Sequence, residues 1–169
     1  PHRCRHTHAF YAFSHRPTPM SIAEDTLDLA NQSREQHYSV IGLDDVTRVA
    51  LMVNPILEGD AIDQAWEAVS TIRGILKQQP VPMALTKQTV FVRSADDIPA
   101  FEDLFRAYYR RRVPATTYII QPPCDGQALA IEAWALGGKD VEVSFPIPNL
   151  VTVESVRLRW FYVAGIDSP

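Results

Sequence analysis

Glu132 lies in the run Ala128-Leu-Ala-Ile-Glu-Ala-Trp-Ala-Leu136, a nearly continuous apolar stretch that predicts a buried strand. Residues two apart on a strand share a face, so Glu132 has Ala130 and Trp134 as its neighbours there. Desolvation among such side chains favours a protonated carboxyl, and a carboxyl so shifted is suited to acid or base work. A structural glutamate bonded to nearby backbone amides would have the same surroundings, and the sequence leaves both readings open. The second group with chemical capacity is Arg110-Arg111-Arg112. Cations there complement the negative end of a preceding helix. An arginine of this run, with Arg112 as the candidate, would equally hold a carboxylate or phosphate if turned into a cleft, because its planar fork of donors matches such anions.

Other reactive side chains give weaker signals. Cys4 and Cys124 are far apart, and a chain with this much apolar residue needs no disulfide staple, so both read as thiols. His2, Cys4, His6 and His8 alternate and would share one side of an extended segment. Structural zinc sites generally use separated ligand pairs, so this segment reads as a surface arm and no metal is predicted. There is no glycine-rich phosphate loop, no HExxH, no paired CxxC and no GxSxG elbow, and the adjacent Ser14 and His15 do not by themselves make a triad. No cofactor is expected.

A chain of 169 residues, 46% hydrophobic, can bury one ordinary core. Its net charge of -4 supplies no electrostatic footprint for nucleic acid, which is not expected as a partner. No apolar run has the length of a membrane span, and the basic start PHRCRHTH leads into no continuous apolar signal segment. The expected location is the cytoplasm, without a membrane partner.

The positioning elements follow from periodicity and breakers. Residues 1–19 read as an arm or edge strand, and the polar stretch 20–45 gives no clear element. Residues 48–53 form a short apolar strand stopped by Pro55. Asp60 can cap a helix whose apolar face is Ile62, Ala65, Trp66, Val69, Ile72 and Leu76. Pro80 and Pro82 end that region, and 85–92 predicts a strand rich in β-branched residues. Asp96, Asp97 and Pro99 open a second helix with Phe101, Leu104, Phe105 and Tyr108 on its buried face. Strands are predicted at 116–121 and 128–136, most simply as an antiparallel pair joined by the Pro122-Pro123-Cys124-Asp125-Gly126 loop, then at 141–145, and again in the tail VRLRWFYVAGI. Right-handed crossovers place both helices on one side of the sheet. The expected class is α+β, a mixed sheet with two helices packed on one face.

The order TVFV, Asp, Phe, Tyr, Pro-Ala, followed by a last strand with Ile131-Glu132-Ala133, resembles the RidA/YjgF reactive-intermediate deaminase superfamily, also described as endoribonuclease L-PSP or translation inhibitor. The resemblance covers roughly the middle half of the chain. It implies a chorismate-mutase-like domain over 20–149 and a homotrimer with a metabolite cleft between subunits. In such proteins the cleft hydrolyses imines and enamines. Glu132 then matches the family's water-positioning glutamate, and Thr116, Thr117 and Tyr118 would line the same wall as substrate-binding residues. Ser14 to Arg16 would contribute the other wall. Where the family pattern reads Pro-Ala-Arg-Ser, this chain has Thr116 after Pro114-Ala115. A hydroxyl carries no charge, and charge-assisted pairing with a carboxylate is roughly twice as strong as a neutral hydrogen bond.

The tail resembles an element that family members carry near their beginning, in Ala164-Gly165-Ile166. Residues 150–169 therefore either open a second repeat, as in a tandem or chorismatase-like protein, or add a strand to the edge of a single domain. The resemblance thus implies a metabolite-binding imine hydrolase, or deaminase. Its rival is a non-catalytic binding and assembly domain of a tandem pseudo-oligomer. A ribonuclease is the third reading, and it would need a basic groove with exposed aromatics.

Overall fold

The computed structural model describes residues 37–56 and 59–165. Two antiparallel strands open it, β1 (His37–Leu43) and β2 (Val46–Val53), joined at Asp44, whose φ of 54° serves the tight turn. Helix α1 (Ala61–Lys77) follows. The Asp60 side chain accepts hydrogen bonds from the Ile62 and Asp63 amides at 2.8 and 2.9 Å, satisfying donors that the first turn leaves free. Strand β3 (Met83–Val92) leads through a 3-10 turn at Ala95–Asp97, capped by the Ser94 side chain on the Asp96 amide, into α2 (Ile98–Tyr109). Then come β4 (Ala115–Ile120) and β5 (Leu129–Gly137).

These strands form a five-stranded sheet in the order β1-β2-β5-β3-β4. Only the β3–β4 pair is parallel. The antiparallel pair expected of β4 and β5 does not form: β5 inserts between β2 and β3, and β4 lies at the edge beside β3. Because β2, β3 and β4 all run antiparallel to β5 or parallel to one another, both helices are crossovers between parallel strands. They pack on the same face, as right-handed connections require. The expected α+β architecture, a mixed sheet bearing two helices on one side, is the one found.

The core between helices and sheet is built from Ala65, Ala68, Val69, Ile72 and Ile75 of α1 and Phe101, Leu104 and Phe105 of α2. They pack on Val49, Leu51, Val90, Val92, Leu129, Ile131 and Ala133. The expected apolar stripe of α1 is rotated slightly. Trp66 is exposed, its ring edge on Tyr108 at a centroid distance of 5.2 Å, while Ile75 is buried.

The remaining strands, β6 (Glu142–Ile147), β7 (Leu150–Glu154) and β8 (Arg159–Val163), form a separate antiparallel sheet, β6-β7-β8. Val153, with Val141, Val143, Trp160 and Tyr162, packs on Val46 and Leu136 of the large sheet. The tail strand thus pairs with β7 and does not extend an edge of the five-stranded sheet. The proposed boundary after residue 149 falls in the β6–β7 hairpin, at Asn149, whose φ is 61°. The 1–19 segment, the alternating His2, Cys4, His6 and His8, and Ser14 to Arg16 lie outside the described residues. Among the described residues, no helix is long and apolar enough to cross a membrane, and no group of three or more His, Cys, Asp or Glu is placed to hold a metal ion.

Candidate functional site

Strand register decides which side chains can meet. Thr116 pairs with Gln88, Thr117 with Thr89, and Tyr118 with Val90. Since Val90 faces the helices, Thr116 and Tyr118 point into the helix layer, while Thr117 points to the opposite side. Glu132 pairs with Thr89 on β3 and with Met52 on β2. Met52, Glu132, Thr89 and Thr117 therefore form one row across the face that carries no helix. Glu132 and Thr117 are two strands apart in that row, roughly 10 Å at the usual strand spacing.

On the helix side a hydrogen-bond chain fixes Thr116. The Tyr109 hydroxyl donates to Gln88 Oε1 at 3.2 Å, Gln88 Nε2 donates to Thr116 Oγ1 at 3.1 Å, and the Thr116 hydroxyl donates to the Pro114 carbonyl at 2.9 Å. Gln88 is 0% exposed, so this chain satisfies an amide that would otherwise be costly to bury. Thr116 is thus committed both as donor and as acceptor. Burial raises the Tyr109 phenol well above its ordinary value, and the neighbouring Tyr108 and Tyr118 phenols add to the rise. Tyr118 is raised as well, first by burial and then by the Glu102 carboxylate, against the opposing charge of Arg106. Both phenols act as neutral groups at ordinary pH.

A cleft of about 820 Å³ runs along the free side of β4. Thr116, Thr117 and Tyr118 form one wall, the end of α2 with Arg106, Arg110 and Arg111 another, and the 145–149 turn a third. Arg106 is bonded to Asp103 at 2.9 Å, whereas Arg110 and Arg111 make no ion pair among the described residues. The Arg110 backbone has φ 57° and ψ -112°, a strained conformation for a residue with a side chain, and it turns the chain out of the helix. Arg112 lines a different groove, between the ends of α1 and α2. Three of the four expected substrate-binding residues thus share one cleft, and two arginines that the sequence had assigned to a helix end join them.

Glu132 sits beside Trp134, the neighbour that strand alternation predicts, and near groups of β2 and β3 that only register could reveal. The Trp134 indole N–H donates to Glu132 Oε1 at 3.0 Å. The Arg48 guanidinium lies 5.1 Å and the Lys87 ammonium 5.2 Å from the centre of the Trp134 ring. Such cation–π contacts are worth about 0.5–2 kcal/mol each, depending on desolvation. Tyr162, from the small sheet, adds a phenol next to this group; burial raises it, while a hydrogen bond to Thr86 and the Arg48 charge act the other way. Arg48 and Lys87 could have been selected from sequence only by aligning β2 and β3 on β5. Lys87 directly opposes Trp134 because a bulge at Thr86 shifts the register by one residue.

No family model matches the chain, and no curated protein matches it. Solved structures are similar to its fold. A Salmonella typhimurium protein described as a translation initiation inhibitor superposes with a TM-score of 0.45 at 15% identity, covering 60% of this chain and 96% of that one. Yeast Mmf1 gives 0.49 at 14% identity over 58% of this chain and 84% of its own. A Thermotoga maritima protein described as an endoribonuclease gives 0.46 at 15% identity, covering 60% and 84%.

Proposed function

We propose that this chain is a RidA-like protein that binds a small carboxylated or carbonyl-containing metabolite in the cleft beside β4 and hydrolyses an imine or related labile intermediate. The observation that carries the reading is the presence of Arg110 and Arg111, free of ion pairs among the described residues, in the same cleft as Thr116, Thr117 and Tyr118. The arginine absent from position 116 is compensated from the end of α2. Its guanidinium would hold the carboxylate with the charge that Thr116 lacks.

In this reading Glu132 is the water-ordering group. Its one described side-chain bond, from Trp134, engages Oε1, which leaves Oε2 to accept from a water. Water attack on the imine carbon gives a carbinolamine, whose collapse releases ammonia and leaves a carbonyl product. The roughly 10 Å between Glu132 and Thr117 is too far for both to touch one small substrate within a protomer. The site is therefore completed by a neighbouring subunit in a homotrimer, one chain presenting its Glu132 face and the next its β4 cleft. A closed cyclic assembly would also cover the exposed Met52 and Ile119 on that face.

The test is ammonia release from an enamine or imine generated in place by amino-acid dehydration. Glu132→Gln keeps the size and the acceptor for Trp134 but removes the base, so hydrolysis should fall about 100-fold or more with folding intact. Full activity in that variant would remove Glu132 from the mechanism. A second reading, a non-catalytic assembly domain of a tandem or chorismatase-like protein, draws on the separate β6-β7-β8 sheet, whose outer strand leaves Phe161 60% exposed. Absence of turnover by the wild-type trimer with every imine tried would favour it.

A further inference from the structure

Both helices end at the same end of the layer, because both connect parallel strands, and their last turns bring together cations that are distant in sequence. Arg73 and Lys77 come from α1, Arg110 and Arg112 from the end of α2, and all four line a groove of about 930 Å³. None of the four makes an ion pair among the described residues. Helix-end compensation accounts for only part of this charge. Each helix end is equivalent to about half a negative charge, so the two together offset about one of the four positive charges. The chain as a whole is acidic, at -4, so the concentration is local.

The groove is not merely a charged surface. Ile72, Leu76 and Met83 also line it, as do Tyr108 and Tyr109, whose rings stand at 88° to each other. Arg73 lies 6.0 Å from the centre of the Tyr108 ring, which directs one guanidinium along the rim. Arg110 holds its place here through the same positive-φ backbone that turns the chain at the end of α2. Strain retained at a residue that borders a cavity is an arrangement associated with ligand sites.

We infer that this groove is a second binding site, adjoining the cleft beside β4 and sharing Arg110 and Phe145 with it, for a phosphate monoester carrying a planar apolar group. Several unpaired cations, three of them guanidinium forks, match a dianion better than a single carboxylate. The apolar and tyrosine side chains of the lining match the body of the ligand, as in small-molecule sites that combine apolar lining with a few placed polar groups. The inference does not depend on imine chemistry.

Phenyl phosphate is the probe, followed by calorimetry or amide chemical-shift titration of the whole chain, with inorganic phosphate and benzoate as comparisons. Phenyl phosphate should bind more tightly than either, and more weakly as salt is raised. Arg73 and Lys77 line this groove and not the cleft, while Arg111 lines the cleft and not this groove. Accordingly R73A/K77A should weaken binding about tenfold or more, and R111A should change it less than about twofold. Both are exposed positions, so folding should survive; the milder pair R73Q/K77Q serves if it does not. Benzoate binding as tightly as phenyl phosphate, equal affinity in R73A/K77A, or loss only in R111A would each overturn the inference. Imine hydrolysis measured on R73A/K77A should be unchanged, which separates failure of this site from failure of the cleft.

Discussion

At the scale of single residues, the most consequential position is Thr116. Its hydroxyl closes a directional chain from the Tyr109 phenol through Gln88 to the Pro114 carbonyl, so it braces the α2–β4 joint as well as lining the cleft. Thr116→Val keeps the shape but removes the acceptor for Gln88 Nε2, on a residue with no access to water. A buried donor left without a partner costs about 1–3 kcal/mol, so chemical denaturation should report a loss of that size. An unchanged midpoint would mean that Gln88 finds another acceptor. The side-chain type at 116 was legible in sequence, and so was the departure from arginine. The commitment of its hydroxyl was not, because Gln88 is 28 positions away and lies beside it only through the parallel β3–β4 register. The same holds for Arg48 and Lys87 beside Trp134, which no local pattern associates.

At the scale of elements, apolar periodicity and breakers placed both helices and most strands, because those segments bury one continuous face. Strand β1 escaped detection for the opposite reason. It is an edge strand whose Tyr38, Val40, Ile41 and Leu43 are all exposed, so neither alternation nor a buried run marks it. The tail was legible as a strand, but its partner was not, since pairing with β7 depends on the tight turn at 155–158, where the Ser155 side chain accepts from the Leu158 amide. One element end is set by close approach. At Gly137, where β5 finishes between β2 and β3, an added Cβ would clash with the Pro82 carbonyl oxygen. Backbone on that side cannot yield as a flexible side chain would. Gly137→Ala should therefore destabilise by about 1–3 kcal/mol, measured by urea unfolding, with the β3–β5 pairing shifted at that end.

At the scale of the molecule, three phenols report on how its layers are joined. Tyr109 and Tyr118 lie between the helices and β4, and Tyr162 lies where the small sheet meets the large one. All three are raised, in each case chiefly by burial. Below the ordinary tyrosine value of 10.0 these groups are neutral in both the folded and the unfolded chain and contribute no pH dependence. As pH rises past that value, the unfolded chain releases protons that the folded chain retains, so stability falls toward the folded-state values. The ceiling is about 1.4 kcal/mol per pH unit for each fully retained proton, and the partly exposed Tyr118 and Tyr162 should lie well below it. Unfolding followed at pH 8, 10 and 11 should show this decline, and the tyrosine variants are the decisive comparison. Tyr162→Phe should flatten part of the curve while leaving the contribution of the helix layer in place. A curve identical to wild type in that variant would mean that the phenol of β8 is hydrated, and that the small sheet does not seat on the large one in solution.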